Sequence, residues 1–196
     1  IVLVVNGFRA HHHWARPQAD LNFVATEAAR TDLINHGILP ERIHVVGIPV
    51  DQHLKPLQQD EKRRLREEFG LGEDPVLVVS SGATGVYRAH DRLLSILERM
   101  NRPMDVVTFK EPKASSVERR GKMRLRRLGF RTDFCKWLAV SDLVIGKLGG
   151  HTAAETFAVG VPTVVLEPIA GQEEENAEWV VAQGAAVWPQ TDREVA

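Results

Sequence analysis

The chain has 196 residues, 43% of them hydrophobic, and a formal net charge of −1. This composition is typical of a globular protein with a substantial core. The balanced charge gives no overall attraction to nucleic acid, so we expect no nucleic-acid partner. The single cysteine, Cys135, excludes an intramolecular disulfide and fits a reducing compartment.

Hydropathy and the first residues of the chain give two further expectations. No apolar run approaches the roughly 18 residues that a membrane-spanning helix needs. The first five residues are apolar, as in a buried strand, and no methionine precedes them. We therefore expect a fragment of a longer chain, with residues missing upstream. Its expected location is cytoplasmic, with the inner face of the membrane as one possibility.

Segments typical of strands alternate with segments typical of helices along the whole chain. Strands are predicted at residues 1–5, 22–25, 43–46, 76–80, 104–108, 143–145, 163–166 and 185–187. Helices are predicted at residues 26–36, 60–69, 89–100, 133–139, 152–159 and 174–183. This alternation predicts an α/β fold with a Rossmann-like, doubly wound parallel sheet.

Residues 49–56 interrupt the alternation with a proline at each end and polar side chains between them. Such a segment is typical of a hinge, and we place a domain boundary near Asp51. Residues 1–50 are then the C-terminal part of an N-terminal, Rossmann-like domain. Residues 51–196 form a second domain that we expect to be truncated at its end.

Two loops that contain glycines follow predicted strands. Gly149 and Gly150 separate an apolar strand from a helix. A helix start presents unpaired N–H groups and the positive end of a dipole, which suits a phosphate. Gly82 and Gly85 follow the strand at 76–80 and permit close approach of a ligand to the backbone, although such a turn is equally often a tight connection. In a doubly wound sheet, ligands lie beyond the carboxyl ends of the strands, which is where both loops begin.

The pair Thr152 and Glu155 permits two interpretations. Its spacing fits a capping box, in which both side chains accept hydrogen bonds from backbone N–H groups of one helix start. Alternatively, the carboxylate of Glu155 accepts hydrogen bonds from the two vicinal hydroxyls of a ribose. The sequence leaves both interpretations open.

Two amide side chains follow the next predicted strand. Gln172 and Asn176 are four residues apart and share one face if the chain is helical there. An amide both donates and accepts hydrogen bonds, as recognition of hexose hydroxyls requires. The alternative is a helix cap with an exposed acidic start, since residues 173–175 are glutamates that suit the positive end of the dipole.

Histidines and basic residues form two local clusters. His11, His12 and His13 are adjacent, but side chains of an extended chain alternate sides, and no carboxylate or cysteine stands at ligand spacing. No Asp-x-Asp motif occurs either, so we expect no metal. Residues 110–131 contain nine basic side chains against two glutamates. This run is compatible with contact to an anionic membrane, or with a solvated helix and strand edge.

These motifs resemble a known family. Residues 146–176 are similar to the donor-site signature of GT-B glycosyltransferases related to monogalactosyldiacylglycerol synthases and processive diacylglycerol glucosyltransferases, with MurG a more distant relative. Phe8, His11 and Trp14 fit the family's T-D-F-x-x-H-x-x-W pattern, and residues 20–50 follow it closely. The resemblance covers nearly the whole chain and implies that residues 51–196 are a GT-B C-terminal, donor-binding domain.

The resemblance also implies an activity. It is the inverting, metal-independent transfer of a hexose from a UDP-sugar to a lipid acceptor such as diacylglycerol, without a cofactor. His11 would lie near the acceptor as the candidate general base, and Lys147 is a candidate cation for the leaving diphosphate, unless it is a surface lysine. The implied donor contacts are Gly149, Gly150, His151 and Thr152 for the diphosphate, Glu155 for the ribose, Gln172 and Asn176 for the sugar, the backbone at Phe130 and Arg131 for the uracil, and Gly82 and Gly85 facing the phosphates or the acceptor.

The sequence departs from the family pattern in the cleft. Asn6 and Gly7 stand where the family has Thr-Asp, which removes a carboxylate. Two alternatives accompany the transferase interpretation, and this change supports the second of them. One is a nucleotide-sugar epimerase of the UDP-GlcNAc type with the same architecture, and the other is a module that binds a nucleotide sugar without chemistry.

Overall fold

A computed structural model describes residues 1–81, 89–109 and 115–195, without the side chains of Gln172 and Asp192. The predicted ligand contacts Gly82 and Gly85 lie outside these residues. The first sheet has three parallel strands in the order β1-β2-β3. These are β1 (Val2–Val4), β2 (Leu21–Val24) and β3 (Ile43–Val45), and the helix α1 (Glu27–Asn35) connects β2 to β3.

The second sheet has seven strands in the order β10-β9-β8-β4-β5-β7-β6, and only β6 runs antiparallel to its neighbour among them. Its strands are β4 (Val76–Ser80), β5 (Met104–Thr108), β6 (Ser116–Arg120), β7 (Met123–Arg127), β8 (Leu143–Gly146), β9 (Thr163–Val165) and β10 (Ala186–Val187). Its helices are α2 (Gln59–Glu68), α3 (His90–Arg99), α4 (Phe134–Val140), α5 (Gly150–Val159), α6 (Gln172–Ala182) and α7 (Asp192–Val195).

The strand order fixes where a ligand can lie. Without β6, the parallel strands follow the 3-2-1-4-5-6 order of a dinucleotide-binding sheet. In this order successive strands are added first on one side of β4 and then on the other, beginning with β8, so the topological switch point lies between β4 and β8. The last residues of these two strands, Ser80 and Gly146, are paired. A Cβ on Gly146 would lie 2.3 Å from the carbonyl oxygen of Ser80, so only glycine permits this approach. The predicted Rossmann-like, doubly wound fold is confirmed.

Hydrophobic cores cover both faces of the second sheet. All five residues of β4 are buried, as expected for a central parallel strand. Leu93 and Leu97 of α3 belong to the core on one face, and Trp137 and Leu138 of α4 belong to the core on the other. Among the described helices none is long and apolar enough to cross a membrane.

The basic run contains the hairpin β6–β7, which the sequence analysis did not predict. Its arginines bind acidic residues of the protein. Asp105 is fully buried in β5 and accepts hydrogen bonds from Arg124 and from Arg126, the latter at 2.9 Å. Glu118 of β6 pairs with Arg127 at 2.9 Å. These ion pairs favour a structural role for the described part of the run over contact with an anionic membrane.

Candidate functional site

The glycine pair forms the start of α5 at the carboxyl edge of the sheet. Gly149 is the N-cap, in extended conformation, and Gly150 is the first helical residue. The chain reaches this point through Leu148, whose φ of +55° lies in the left-handed region that a leucine seldom occupies. Thr152 is thus already inside the helix and cannot be its N-cap. The capping-box interpretation of Thr152 and Glu155 is wrong.

Glu155 lies half-buried on α5 and faces α4. Its Oε1 accepts a hydrogen bond from the thiol of Cys135 at 3.5 Å and lies 4.0 Å from Nε2 of His151. Removal from water raises the pKa of Glu155, more than the thiol and the imidazole lower it. A carboxylate with so few described partners retains the capacity to accept hydrogen bonds from a ligand.

Cys135 is a helical residue, as expected, and supports Glu155. Burial and the neighbouring Glu155 raise the pKa of its thiol to about 11, so the thiol stays protonated at neutral pH and donates to the carboxylate. No local pattern in the sequence indicates this contact, because the two residues are 20 positions apart on different helices.

Lys147 lies at the same edge, between β8 and α5. It is buried rather than on the surface, and its Nζ is 3.1 Å from Oε1 of Glu173. The other carboxylate oxygen of Glu173 accepts from the N–H of Ile169 at 2.8 Å. The pair ties the start of α5 to the start of α6. The positive charge of Lys147 is therefore already balanced by the carboxylate of Glu173.

Asn176 of α6 contacts the unit of the first sheet. It is buried, and its Oδ1 accepts the backbone N–H of Phe8 at 2.9 Å. The ring of Phe8 stacks on Trp179, with centroids 4.2 Å apart and planes inclined by 9°. The resemblance implies that Asn176 contacts a donor sugar. With its oxygen bonded to Phe8, the amide nitrogen is the atom available to donate to a ligand.

Gly150 also contacts the first unit. A Cβ at this position would lie 2.2 Å from the carbonyl oxygen of Asn6 and 3.2 Å from the Cα of Gly7. At Gly149 the corresponding Cβ would meet only Oε1 of Glu173, at an ordinary 3.8 Å. The two glycines therefore have different structural roles. Gly150 is required for packing between the units, and Gly149 leaves space beside the helix start.

The remaining predicted contacts lie around this edge. Phe130 is 86% exposed in the loop before α4, and the guanidinium of Arg131 forms two hydrogen bonds with Asp133, at 2.8 and 2.6 Å. The exposed His151 occupies the first turn of α5. Gln172 is the first residue of α6, and its side chain lies outside the described part of the chain.

The three adjacent histidines form a compact turn. His11 caps a short 3-10 helix, His12–Trp14, and is exposed. The described contacts of its side chain are with His12 and His13, and none of them joins it to α5 or α6. The expectation that these side chains alternate along an extended segment is wrong, because the helical turn gathers all three on one side.

The edge thus combines donors for an anion with a half-buried carboxylate. The first turn of α5 offers backbone N–H groups, and Glu155 lies about one turn and a half further along the helix. An anion at the helix start and a hydroxyl-bearing group near Glu155 could therefore occupy this edge together. This arrangement suits a nucleoside diphosphate.

Comparisons with known proteins show the family of the chain. The sequence profile of the family described as UDP-N-acetylglucosamine 2-epimerase matches residues 11–187. A processive diacylglycerol beta-glucosyltransferase of Staphylococcus aureus (strain JH9) is 30% identical over 190 residues, which cover 94% of this chain. They cover 48% of that relative, so the chain spans about half the length of the curated relatives it matches.

Solved structures show the same fold. Anabaena HepE in complex with UDP-glucose aligns with a TM-score of 0.61 and 19% identity, over 100% of this chain and 60% of that one. Acinetobacter baumannii MurG aligns with a TM-score of 0.59 and 17% identity, over 99% of this chain and 55% of that one. The resemblance to GT-B glycosyltransferases expected from the sequence is confirmed.

Proposed function

The chain belongs to the family described as UDP-N-acetylglucosamine 2-epimerase, and from this membership and the geometry of α5 we propose that it binds a UDP-sugar and serves in transfer of its hexose. The observation that carries the proposal is Glu155, a half-buried carboxylate within α5, the helix whose N-cap and first residue are both glycines. The similarity to a diacylglycerol glucosyltransferase supports transfer over simple binding.

In this proposal the donor lies along the edge at β4 and β8. Backbone N–H groups at Gly149 and Gly150, with His151 and Thr152, hold the diphosphate, and Glu155 accepts hydrogen bonds from the ribose hydroxyls. Asn176, together with Gln172, donates to the hexose. The backbone at Phe130 and Arg131 borders the uracil. Gly82 and Gly85, which lie outside the described residues, would face the phosphates or the acceptor, as the resemblance implies.

The proposed reaction is a single displacement at the anomeric carbon. The acceptor oxygen forms a bond to this carbon while the bond to the diphosphate oxygen breaks, and UDP leaves with the electron pair. The acceptor proton passes to a general base, for which His11 is our candidate. Charge that develops on UDP is stabilised by the helix start of α5. Because Lys147 is neutralised by Glu173, backbone donors bear most of this task.

Our proposals for the acceptor and for the location of the protein rest on the name of a relative. A lipid hydroxyl, as in diacylglycerol, is the proposed acceptor because the relative is named a diacylglycerol glucosyltransferase. The proposed location is the cytoplasm, with the inner face of the membrane as the place where such an acceptor would be reached. We also propose the domain boundary near Asp51, between the two sheets.

A specific observation favours a second candidate function, since the matching family profile is that of an epimerase. An epimerase would also use Glu155 at the ribose and the helix start at the diphosphate. The products distinguish the two activities. A transferase releases UDP and glycosylates an acceptor, whereas an epimerase returns a UDP-sugar of changed configuration at one carbon.

Calorimetric titration with UDP tests the donor site. Wild-type protein should bind UDP, and Glu155→Gln should bind it at least tenfold more weakly, because a neutral amide accepts less strongly from the ribose. Glu67→Gln, the same change at an exposed residue of α2, is the control and should bind like the wild type. Lack of binding by folded wild-type protein, or equal binding by both variants, would contradict the proposal.

A second assay addresses the reaction. A protein that contains this chain is incubated with UDP-glucose and diacylglycerol, and separately with UDP-N-acetylglucosamine. Glycolipid and free UDP support transfer, and a second UDP-sugar epimer supports the alternative. UDP binding without either product would favour the module that lacks chemistry.

A further inference from the structure

The turn formed by His11, His12 and His13, named here the histidine turn, brings three imidazoles together. Their ring centroids are 3.9 Å apart for His11 and His12, 4.0 Å for His12 and His13, and 4.8 Å for His11 and His13. One nitrogen from each ring can be chosen so that all three atoms lie within 4.8 Å of one another. All three side chains are exposed, so an ion can reach them directly from solvent.

The protein holds this turn firmly on both sides. Before it, Asp32 of α1 accepts hydrogen bonds from the guanidinium of Arg9, at 2.8 and 2.7 Å, and from the N–H of Ala10 at 3.0 Å. After it, Trp14 packs against the core of the first unit. The N–H of Trp14 also donates to the carbonyl of His11 at 2.9 Å. The three rings therefore start from a pre-organised backbone, and only their side-chain torsions need to adjust.

The chemistry of the cluster indicates its ligand. Imidazole nitrogen suits Zn²⁺, Ni²⁺ and Cu²⁺, whereas Mg²⁺ and Ca²⁺ prefer oxygen ligands, which the cluster lacks. Zinc binds histidine nitrogen at about 2.0–2.1 Å, which in tetrahedral geometry places two nitrogens about 3.4 Å apart. Closing from 4.8 Å to this spacing takes small rotations of exposed rings. Water can occupy the fourth position.

We propose that the histidine turn is a binding site for a divalent transition-metal ion, with one nitrogen each from His11, His12 and His13 as ligands. The site lies apart from the donor contacts at α5, because no described contact joins these histidines to that helix. It shares His11 with the acceptor side of the proposed reaction, so a bound ion would prevent His11 from acting as the general base. His36, whose ring centroid is 6.2 Å from that of His12, lies next to the site without belonging to the cluster.

Calorimetric titration with ZnCl₂, repeated with NiCl₂ and MgCl₂, tests the site. We expect one zinc or nickel ion per chain and no binding of magnesium. The double variant His12→Asn/His13→Asn removes two ligands and should weaken zinc binding at least tenfold. The matched control is His53→Asn, which removes an exposed histidine elsewhere and should leave zinc binding unchanged.

Two results would overturn the proposal. One is a wild-type protein that binds no zinc at millimolar concentration, and the other is a double variant that binds it as tightly as the wild type. Circular dichroism establishes that the variants are folded. Should the double variant fail to fold, the single variant His13→Asn is titrated instead, and unchanged zinc affinity there refutes the site. UDP binding does not depend on the three histidines. A separate titration with UDP therefore distinguishes failure of the proposed metal site from failure of the proposed donor site.

Discussion

Substitution of the two adjacent glycines at the start of α5 gives a sharp test of the structure. A Cβ at Gly150 would lie 2.2 Å from the carbonyl oxygen of Asn6, more than 1 Å inside normal contact. The clash is with backbone, so it cannot be relieved by a side-chain rotation. In Gly150→Ala the loop at Asn6 and Gly7 must therefore move away from α5. At Gly149 a methyl group meets nothing closer than 3.8 Å.

The magnitude follows from two opposing terms. Overpacking in a closely packed region costs about 1–3 kcal/mol, and replacing glycine in a helix returns up to about 1 kcal/mol. We expect Gly150→Ala to lose about 1–2 kcal/mol of unfolding free energy, or about 2–8 °C in Tm for a chain of this size. Gly149→Ala should stay within about 0.5 kcal/mol of the wild type, because Gly149 has a φ of −62° that alanine adopts without strain.

Thermal unfolding and UDP titration are measured on both variants. Gly150→Ala should be the less stable of the two. Gly149→Ala should keep wild-type stability and lose UDP affinity, since its methyl group occupies space beside the helix start. Wild-type Tm in Gly150→Ala would refute the close approach of Asn6, and wild-type UDP affinity in Gly149→Ala would refute the placement of the diphosphate there.

Two further predictions concern buried charge. Asp105→Ala leaves the guanidinium groups of Arg124 and Arg126 without their carboxylate and should cost about 3–5 kcal/mol in urea unfolding, whereas Asp60→Ala, at an exposed ion pair, should cost under about 1 kcal/mol; equal costs would contradict the ion-pair geometry. Burial raises the pKa of Glu155 in the folded state above its ordinary 4.5, so its stabilising effect is complete below that pH and is lost as pH rises through the folded value. Glu155→Gln should remove this pH dependence, and an unchanged stability profile would refute the assigned burial.

The central strands could be predicted closely because both sequence and burial are simple there. The bounds predicted for β4 and β5 agree with the structure, since each is a short, mainly apolar run. The hairpin β6–β7 was missed because its charge dominates its pattern. Met123 and Leu125 alternate with arginines, which is the period of a strand, but only two apolar residues carry that signal.

The site was only partly visible in the sequence. The glycine pair and Glu155 lie within six residues of one another, so local spacing indicated them. The contact of Asn176 with Phe8 joins residues 168 positions apart, and no local pattern encodes it. The role of Gly150 was invisible for the same reason, because its neighbour Asn6 belongs to the first sheet's unit.

The two contacts across the units have a thermodynamic consequence. Asn176 is held by Phe8, and Gly150 lies against Asn6, so the starts of α5 and α6 are both attached to the same short segment of the first unit. Movement of that segment alters both helix starts together. A ligand at these helices that stabilises one arrangement of the two units is, by thermodynamic linkage, bound more tightly by that arrangement, and the two free-energy differences are equal.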